Sequence, residues 1–293
     1  MAGKKVPGSS HLAQAQNLLK QFGLRPKKGL GQHFLVDAEV LGHVVAAAEL
    51  GPRDVVVEVG PGLGTLTREL AGVAAQVFAI ELDTRMARAL RQILAPLSNV
   101  SVVNADALAL VPAELLADYP PSQFRYKVVA NLPYYITSPV LRHFLAASPK
   151  PSLMVVMVQK EVAQAIVAPV GKVGVLGLIV QFYGRPRIET YVSGGSFYPV
   201  PKVDSAVLRI DVHEHPPVSV SDEEAFFQLI IAGFAAPRKQ IRNSLALGLG
   251  LLAGEVADRL EGIGIASSRR PQTLTLGEWA RVWEVFPKVI KSG

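Results

Sequence analysis

Between residues 54 and 147 the chain alternates two textures. Short runs rich in β-branched apolar residues, "DVVVEVG" (54–60), "AQVFAIEL" (75–82), "VSVVNAD" (100–106) and "YKVVANLP" (126–133), are separated by stretches whose apolar residues recur every three or four positions: "TLTRELAG" (65–72), "TRMARALRQIL" (84–94) and "SPVLRHFLAA" (138–147). A strand followed by an amphipathic helix, repeated, predicts a parallel sheet covered on both faces, a doubly wound α/β architecture. The uninterrupted apolar run "SLMVVMVQ" (152–159) fits a strand buried on both sides. "LGLIVQFYG" (176–184) and "SAVLRIDVH" (205–213) read as two further strands. Ser138 and Pro139 read as the N-cap and first residue of a helix.

The rhythm breaks at Pro216 and Pro217. Ser221 and Glu224 have the spacing of a capping box ahead of "AFFQLIIAGFA", and the remainder reads as helical. These signals predict a basic N-terminal tail over 1–26, an α/β domain over 27–214 and a small helical domain over 215–293, with no internal repeat.

Composition narrows the class. Of 293 residues, 49% are hydrophobic and 18% charged, which excludes a disordered chain. No apolar run approaches the ~18 residues of a membrane span. The absence of Cys excludes disulfides and thiolate metal sites, and the opening "MAGKKVPGSSHLAQAQ" lacks the apolar block of a signal peptide, so a cytoplasmic location is expected. The net charge is +6, and Lys4, Lys5, Lys20, Arg25, Lys27 and Lys28 all precede the first acidic residue, Asp37. That asymmetry points to a polyanionic partner.

Candidate chemistry gathers at strand ends. Gly60, Gly62 and Gly64 lie between a strand and a helix, where bare backbone admits a ligand and the helix N-terminus offers free N–H groups. The next strand ends in Glu81, placed to accept both hydroxyls of a ribose, and the one after it in Asp106, placed to accept from an adenine amine. NAD and S-adenosylmethionine both carry such a ribose. The Gly-x-Gly-x-Gly spacing and the third acidic position favour S-adenosylmethionine. The fourth strand ends in Asn131, Leu132, Pro133 and Tyr134 on the same edge. An exocyclic base amine is a poor nucleophile, because its lone pair is delocalised into the ring. The Asn131 side-chain oxygen and the Leu132 carbonyl can accept from its N–H bonds and turn the lone pair toward a methyl donor. Pro133 fixes that carbonyl, and Tyr134 can stack on an unstacked base.

Eight segments in order, "KKGLGQHFLVD", "VVEVGPGLGTLT", "VFAIELD", "NADAL", "VVANLPYYITSPV", "VMVQKEVAQAI", "SFYPVPKVDSAVLRI" and "RKQIRNSL", resemble the KsgA-type small-subunit ribosomal RNA adenine N6,N6-dimethyltransferases from about Lys27 onward. The resemblance implies a class I S-adenosylmethionine-dependent methyltransferase fold and dimethylation of two adjacent adenosines in the hairpin near the 3′ end of small-subunit rRNA. It places cofactor contacts on His33, Leu35, Gly60, Glu81, Asp106 and Asn131, with Gly62 in the same loop, and sets Phe197 over the target base opposite Tyr134. Its partner is small-subunit rRNA in a subunit or assembly intermediate, and a monomer is expected. Two departures stand out. His33 replaces the Asn of many bacterial members, and Val175 and Gly177 replace the Arg and Ser of a loop expected near the RNA.

Glu58, beside the glycine loop, is a candidate to favour a sulfonium charge. Arg238, Lys239 and Arg242, at helical spacing, and Arg269 with Arg270, are candidate phosphate contacts. His213 and His215 flank Glu214 without a third ligand type, and no metal is expected. No Gly-x-Ser-x-Gly elbow or Walker loop is present, which leaves hydrolase and NTPase chemistry unsupported. Two alternatives share these motifs: a large-subunit rRNA adenine methyltransferase of the antibiotic-resistance type, and a non-catalytic RNA-binding assembly factor. The "FYPVPKVDSAVLRI" segment argues against the first and the complete cofactor set against the second.

Overall fold

The structure, a computed structural model, describes residues 10–120 and 122–286. It divides into two compact units, one formed by residues up to Ala163 with Arg185–Val212, the other by Gln164–Gly184 with residues from His213 onward.

The first unit runs α1 (Ser10–Gln21), β1 (Phe34–Leu35), α2 (Ala38–Ala47), β2 (Asp54–Val59), α3 (Thr65–Ala71), β3 (Gln76–Ile80), α4 (Thr84–Leu94), β4 (Val100–Val103), α5 (Pro112–Leu115), β5 (Arg125–Asn131), α6 (Thr137–Ala146), β6 (Leu153–Gln159) and the first half of α7 (Lys160–Ile166), within which the unit ends. The chain then supplies α8 (Val175–Tyr183) to the second unit and returns as β7 (Gly184–Val192), β8 (Phe197–Tyr198) and β9 (Ser205–Val212). Seven strands form one sheet in the order β4-β3-β2-β5-β6-β9-β7. β2 is parallel to β3 and β5, β3 to β4 and β5 to β6, while β9 is antiparallel to β6. Strand order therefore reverses between β2 and β5, and the carboxyl edge at such a switch point is where open α/β sheets bind ligands.

Every residue of β2 and β3 is buried, as strands covered on both faces require. On one face α2 and α3 pack Val40, Leu41, Val44, Leu66 and Leu70 against Val56, Val77, Val129 and Val155. A buried ion pair ties this layer down: Lys127 Nζ lies 2.9 Å from Asp54 Oδ2 and also donates to the carbonyls of Ala48 and Glu49. Those three acceptors compensate the desolvation of the ammonium.

Several expectations are corrected. Residues 10–21 of the expected tail form α1, whose Ala15 and Leu19 pack with Phe34, Leu63 and Met86, because Leu12, Ala15, Leu18 and Leu19 recur at helical spacing among the Gln and Lys residues. "LGLIVQFY" is the helix α8, and the strand is the following "GRPRIETYV", β7. β7 is an edge strand, which tolerates Pro186 and alternates in exposure. The helical unit accordingly takes residues 164–184 as well as the segment after 212. Val175 and Gly177 sit in the first turn of α8 and not in a loop. A Cβ on Gly177 would lie 2.7 Å from Val173 Cγ2 and 2.9 Å from the Ala165 carbonyl, so packing demands glycine there.

The second unit continues with α9 (Glu223–Gly233), α10 (Ile241–Leu249), α11 (Ala253–Gly262) and α12 (Leu276–Val285). Asp222, and not Ser221, caps α9, accepting from Ala225 N at 2.9 Å. α6 begins at Thr137, one residue before the expected Ser138 cap, because a 3-10 turn over Tyr134–Ile136 leads directly into it. The core of this unit is aromatic: Phe182 of α8, Phe226 and Phe227 of α9, and Trp283 of α12.

Candidate active site at the carboxyl edge of the sheet

The ends of β2, β3, β4 and β5 enclose a cavity of about 280 Å³ with the segment Leu30–Leu35. Its charged lining residues are Glu58, Glu81 and Asp106, and no Lys or Arg is among the described residues that line it. Such a wall suits a cationic ligand.

Gly60, Gly62 and Gly64 all take left-handed φ values of +70°, +57° and +75°. Their lack of side chains serves packing as well as access. A Cβ on Gly62 would come within 2.8 Å of Phe34 Cδ1, and one on Gly64 within 2.9 Å of Leu90 Cδ1. Gly60 and Gly31, the latter at φ +58°, flank Pro133 from two sides, with hypothetical Cβ atoms 3.3 Å from Pro133 Cδ and 3.7 Å from Pro133 Cβ. The glycine loop and the Asn-Leu-Pro-Tyr segment are therefore in direct contact.

Glu81 is buried at the end of β3, and its Oε1 accepts from Asp83 N at 2.9 Å. Burial raises its pKa, opposed by the backbone N–H groups of Asp83, Gly62 and Leu82. Asp106 is exposed and accepts from Leu108 N at 2.9 Å through Oδ1, holding the turn after β4. Asn131 donates from Nδ2 to the His33 carbonyl at 3.0 Å, which fixes the amide plane and leaves Oδ1 as its acceptor. The His33 ring donates from Nδ1 to the Pro199 carbonyl at 2.7 Å and lies nearly parallel to the Tyr134 ring, with centroids 6.1 Å apart. Tyr134 bonds to Ser205 Oγ at 2.7 Å, and burial raises the pKa of its hydroxyl. Leu35, 4% exposed, lines the cavity from β1.

The structure thus brings His33, Leu35, Gly60, Gly62, Glu81, Asp106, Asn131, Leu132, Pro133 and Tyr134 to one cavity. Phe197 is not with them. It is 2% exposed, pairs with Leu35 across the β1–β8 ladder, and packs in the core with Val40, Val192 and Val207. The expected clamp of the base by Phe197 is corrected on this ground, because a phenyl ring with apolar neighbours in a core gains more from burial than from exposure at a cavity mouth. Sequence reasoning gave no role to Gly31 and the exposed Tyr135, which line the cavity, or to Ser205, which bonds Tyr134, although all three lie within the quoted segments.

Of the candidate phosphate contacts, Lys27 is paired with Asp83 at 2.6 Å. Lys4, Lys5 and the side chain of Lys28 lie outside the described residues, while Lys20 and Arg25 are exposed. Arg238 and Lys239 occupy the turn before α10 and only Arg242 is helical, so the expected single helix face is replaced by an exposed basic turn. Arg269 is held by Glu278 at 2.5 Å, which lowers the Glu278 pKa to about 2. Among the described residues no three His, Asp or Glu are grouped to hold a metal ion, and no helix is long and apolar enough to cross a membrane.

A mostly parallel seven-stranded sheet, an antiparallel strand beside β6 and a ligand cavity at its switch point define a class I methyltransferase. The family model for ribosomal RNA adenine dimethylases matches residues 23–287, and the chain belongs to that family. A ribosomal RNA small subunit methyltransferase A of Dehalococcoides mccartyi (strain ATCC BAA-2266 / KCTC 15142 / 195) is 47% identical over 277 residues, 94% of each chain. The protein of the same name from Moorella thermoacetica is 43% identical over 90% of this chain and 94% of its own. Among solved structures, a dimethyladenosine transferase from Plasmodium falciparum shares the fold at TM-score 0.74 and 24% identity, covering 88% of this chain and 98% of its own. The 23S rRNA methyltransferase ErmE matches at TM-score 0.65 and 30% identity, covering 87% and 100%.

Proposed function

We propose that this protein, acting as a monomer in the cytoplasm, transfers methyl groups from S-adenosylmethionine to the N6 amines of two adjacent adenosines in the 3′-terminal hairpin of small-subunit rRNA, two to each base. The observation that carries the reading is the Asn131 side chain. Its Nδ2 is committed to the His33 carbonyl, so Oδ1 is the acceptor left to this residue in the lining of a cavity whose charged side chains are Glu58, Glu81 and Asp106.

The residues fit the donor. In this reading Glu81 accepts from ribose hydroxyls and Asp106 from the adenine amine; the acidic lining without Lys or Arg among the described residues supports a cationic ligand. S-adenosylmethionine supplies, when bound, a methyl group already activated on a sulfonium sulphur. The protein's task is then positioning more than acid or base strength. Asn131 Oδ1 and the Leu132 carbonyl accept from the two N–H bonds of the base amine, Tyr134 stacks on the base, and Pro133 holds the carbonyl in place. The amine proton leaves to solvent after transfer.

The identity of 47% to a relative named for the small subunit, against 30% to the large-subunit enzyme, supports the small-subunit substrate. The test is mass spectrometry of rRNA nucleosides after incubating the protein and donor with unmethylated small subunits. Dimethyladenosine at two adjacent positions is the expected product. Donor binding without methyl incorporation into the small subunits would refute the assignment.

A further inference from the structure

One carboxyl group in the cavity wall has no assigned contact. Glu58, two residues before Gly60 in β2, is 1% exposed, and its Oε2 has no hydrogen-bond partner among the described residues. A bare carboxylate oxygen so deeply buried is unfavourable, and such a group holds its proton instead. The groups around it do not relieve this. From α3 the nearby Thr67 hydroxyl, itself without a hydrogen-bond partner among the described residues, pulls the pKa down, but burial outweighs it, and Glu81 just after the adjacent strand β3 adds repulsion. The other titratable groups of the cavity are Asp106 after β4, His33 before β1, and Tyr134 and Tyr135 after β5, and none is a fixed cation.

We propose that Glu58 is a proton-linked donor-binding residue: it is protonated while the cavity is empty and loses its proton when a cationic methyl donor binds. The inference rests on the donor reading given above. The Glu58 O–H bond breaks, the proton passes to water and buffer, and the carboxylate that remains faces the positive charge of the ligand; no redox step is involved. Glu58 takes the proton back once the methyl has left, because the thioether that remains carries no charge on sulphur. Donor affinity therefore rises with pH up to the pKa of the empty site and then levels. Burial places that pKa at about 8.

The test is calorimetric titration of the full-length protein with S-adenosylmethionine at pH 7 in two buffers of different ionisation enthalpy, phosphate and Tris. The wild type should release about one proton per donor bound, and Glu58→Gln, isosteric with the neutral acid, close to none. Between pH 6 and 8 the wild-type Kd should fall by up to about tenfold per pH unit, whereas that of Glu58→Gln should stay flat. Glu81→Gln should bind more weakly yet still release the proton. No proton release by the wild type, or equal release by Glu58→Gln, would overturn the linkage while leaving the donor assignment intact. A wild type that gives no binding heat in either buffer and leaves its thermal midpoint unmoved by the donor would overturn the donor reading itself.

Discussion

Replacing Gly62 by Ala separates two reasons for a glycine loop, ligand access and internal packing. At φ +57° an L side chain costs about 1–2 kcal/mol of backbone strain. The new methyl would also stand 2.8 Å from Cδ1 and 3.0 Å from Cε1 of Phe34, well inside the ~3.5–4.0 Å of favourable carbon contact. Phe34 has nowhere cheap to go, being 5% exposed and enclosed by Ala15, Leu19, Leu63 and Met86. Overpacking of this kind costs about 1–3 kcal/mol, so Gly62→Ala should lose about 2–5 kcal/mol in urea unfolding. Gly60→Ala makes a milder comparison, since its methyl would stand 3.3 Å from Pro133 Cδ and 3.5 Å from Pro133 Cγ, against 2.8 Å from Phe34 for Gly62, and it should lose less. Phe34 follows His33, whose carbonyl holds the Asn131 amide, so Gly62→Ala should also weaken donor binding at temperatures where it remains folded. Adding Phe34→Leu should restore part of the stability. Stability of Gly62→Ala within about 0.5 kcal/mol of wild type, or a loss that Phe34→Leu deepens, would refute the packing explanation.

Four further outcomes follow from the same contacts. The Glu58 carboxyl, raised from 4.5 to about 8, binds its proton more tightly in the folded chain, so its contribution is full below about pH 4.5 and lost as pH rises through 8. Glu58→Gln should therefore outlast the wild type at pH 9 by up to about 5 kcal/mol and lose that advantage at pH 4.5, and a difference independent of pH in urea melts would contradict it. Asn131→Ala should abolish methyl transfer with the fold retained, and near-normal turnover would sink the site assignment. Glu81→Gln should weaken donor affinity by about 1–3 kcal/mol, while unchanged affinity would place the ribose elsewhere. Phe197→Ala should cost about 3–5 kcal/mol of stability as a core truncation, and a variant of wild-type stability that accumulates monomethyladenosine would return Phe197 to the base.

The parallel strands were legible because burial on both faces leaves them almost no polar residues, as in "VVV" of β2 and "LMVVMV" of β6. The same rule misled at 176–183: a nine-residue helix that is apolar all round has no period to distinguish it from a buried strand. α1 was obscured by the basic charge around it, although Ala15 and Leu19 carry its packing. At the site, the shared edge of Glu81, Asp106 and Asn131 was legible because each ends or closely follows a strand of the parallel series, so position along the sequence maps onto position along one edge. Contacts across long separations were not. Nothing local in the sequence pairs His33 with Tyr134, joins Tyr134 to Ser205, or draws Phe197 into the core. Arg238 and Lys239 fit a helical spacing, but the chain turns there before α10 begins.

The short ladder between β1 and β8 has a bearing on biosynthesis. Phe34 pairs with Tyr198 and Leu35 with Phe197, and His33 reaches the Pro199 carbonyl, so one wall of the cavity is anchored by residues made far later than the wall itself. Contacts of such sequence separation form late, because a long loop must close before they give any return. A nascent chain carrying the glycine loop, Glu81, Asp106 and the Asn-Leu-Pro-Tyr segment still has an unanchored wall until Pro199 has left the ribosome. The protein cannot finish its own donor site while most of its length is still being made, so a truncated product ending before β8 would carry every motif of the site without the ladder and the His33 bond that anchor this wall.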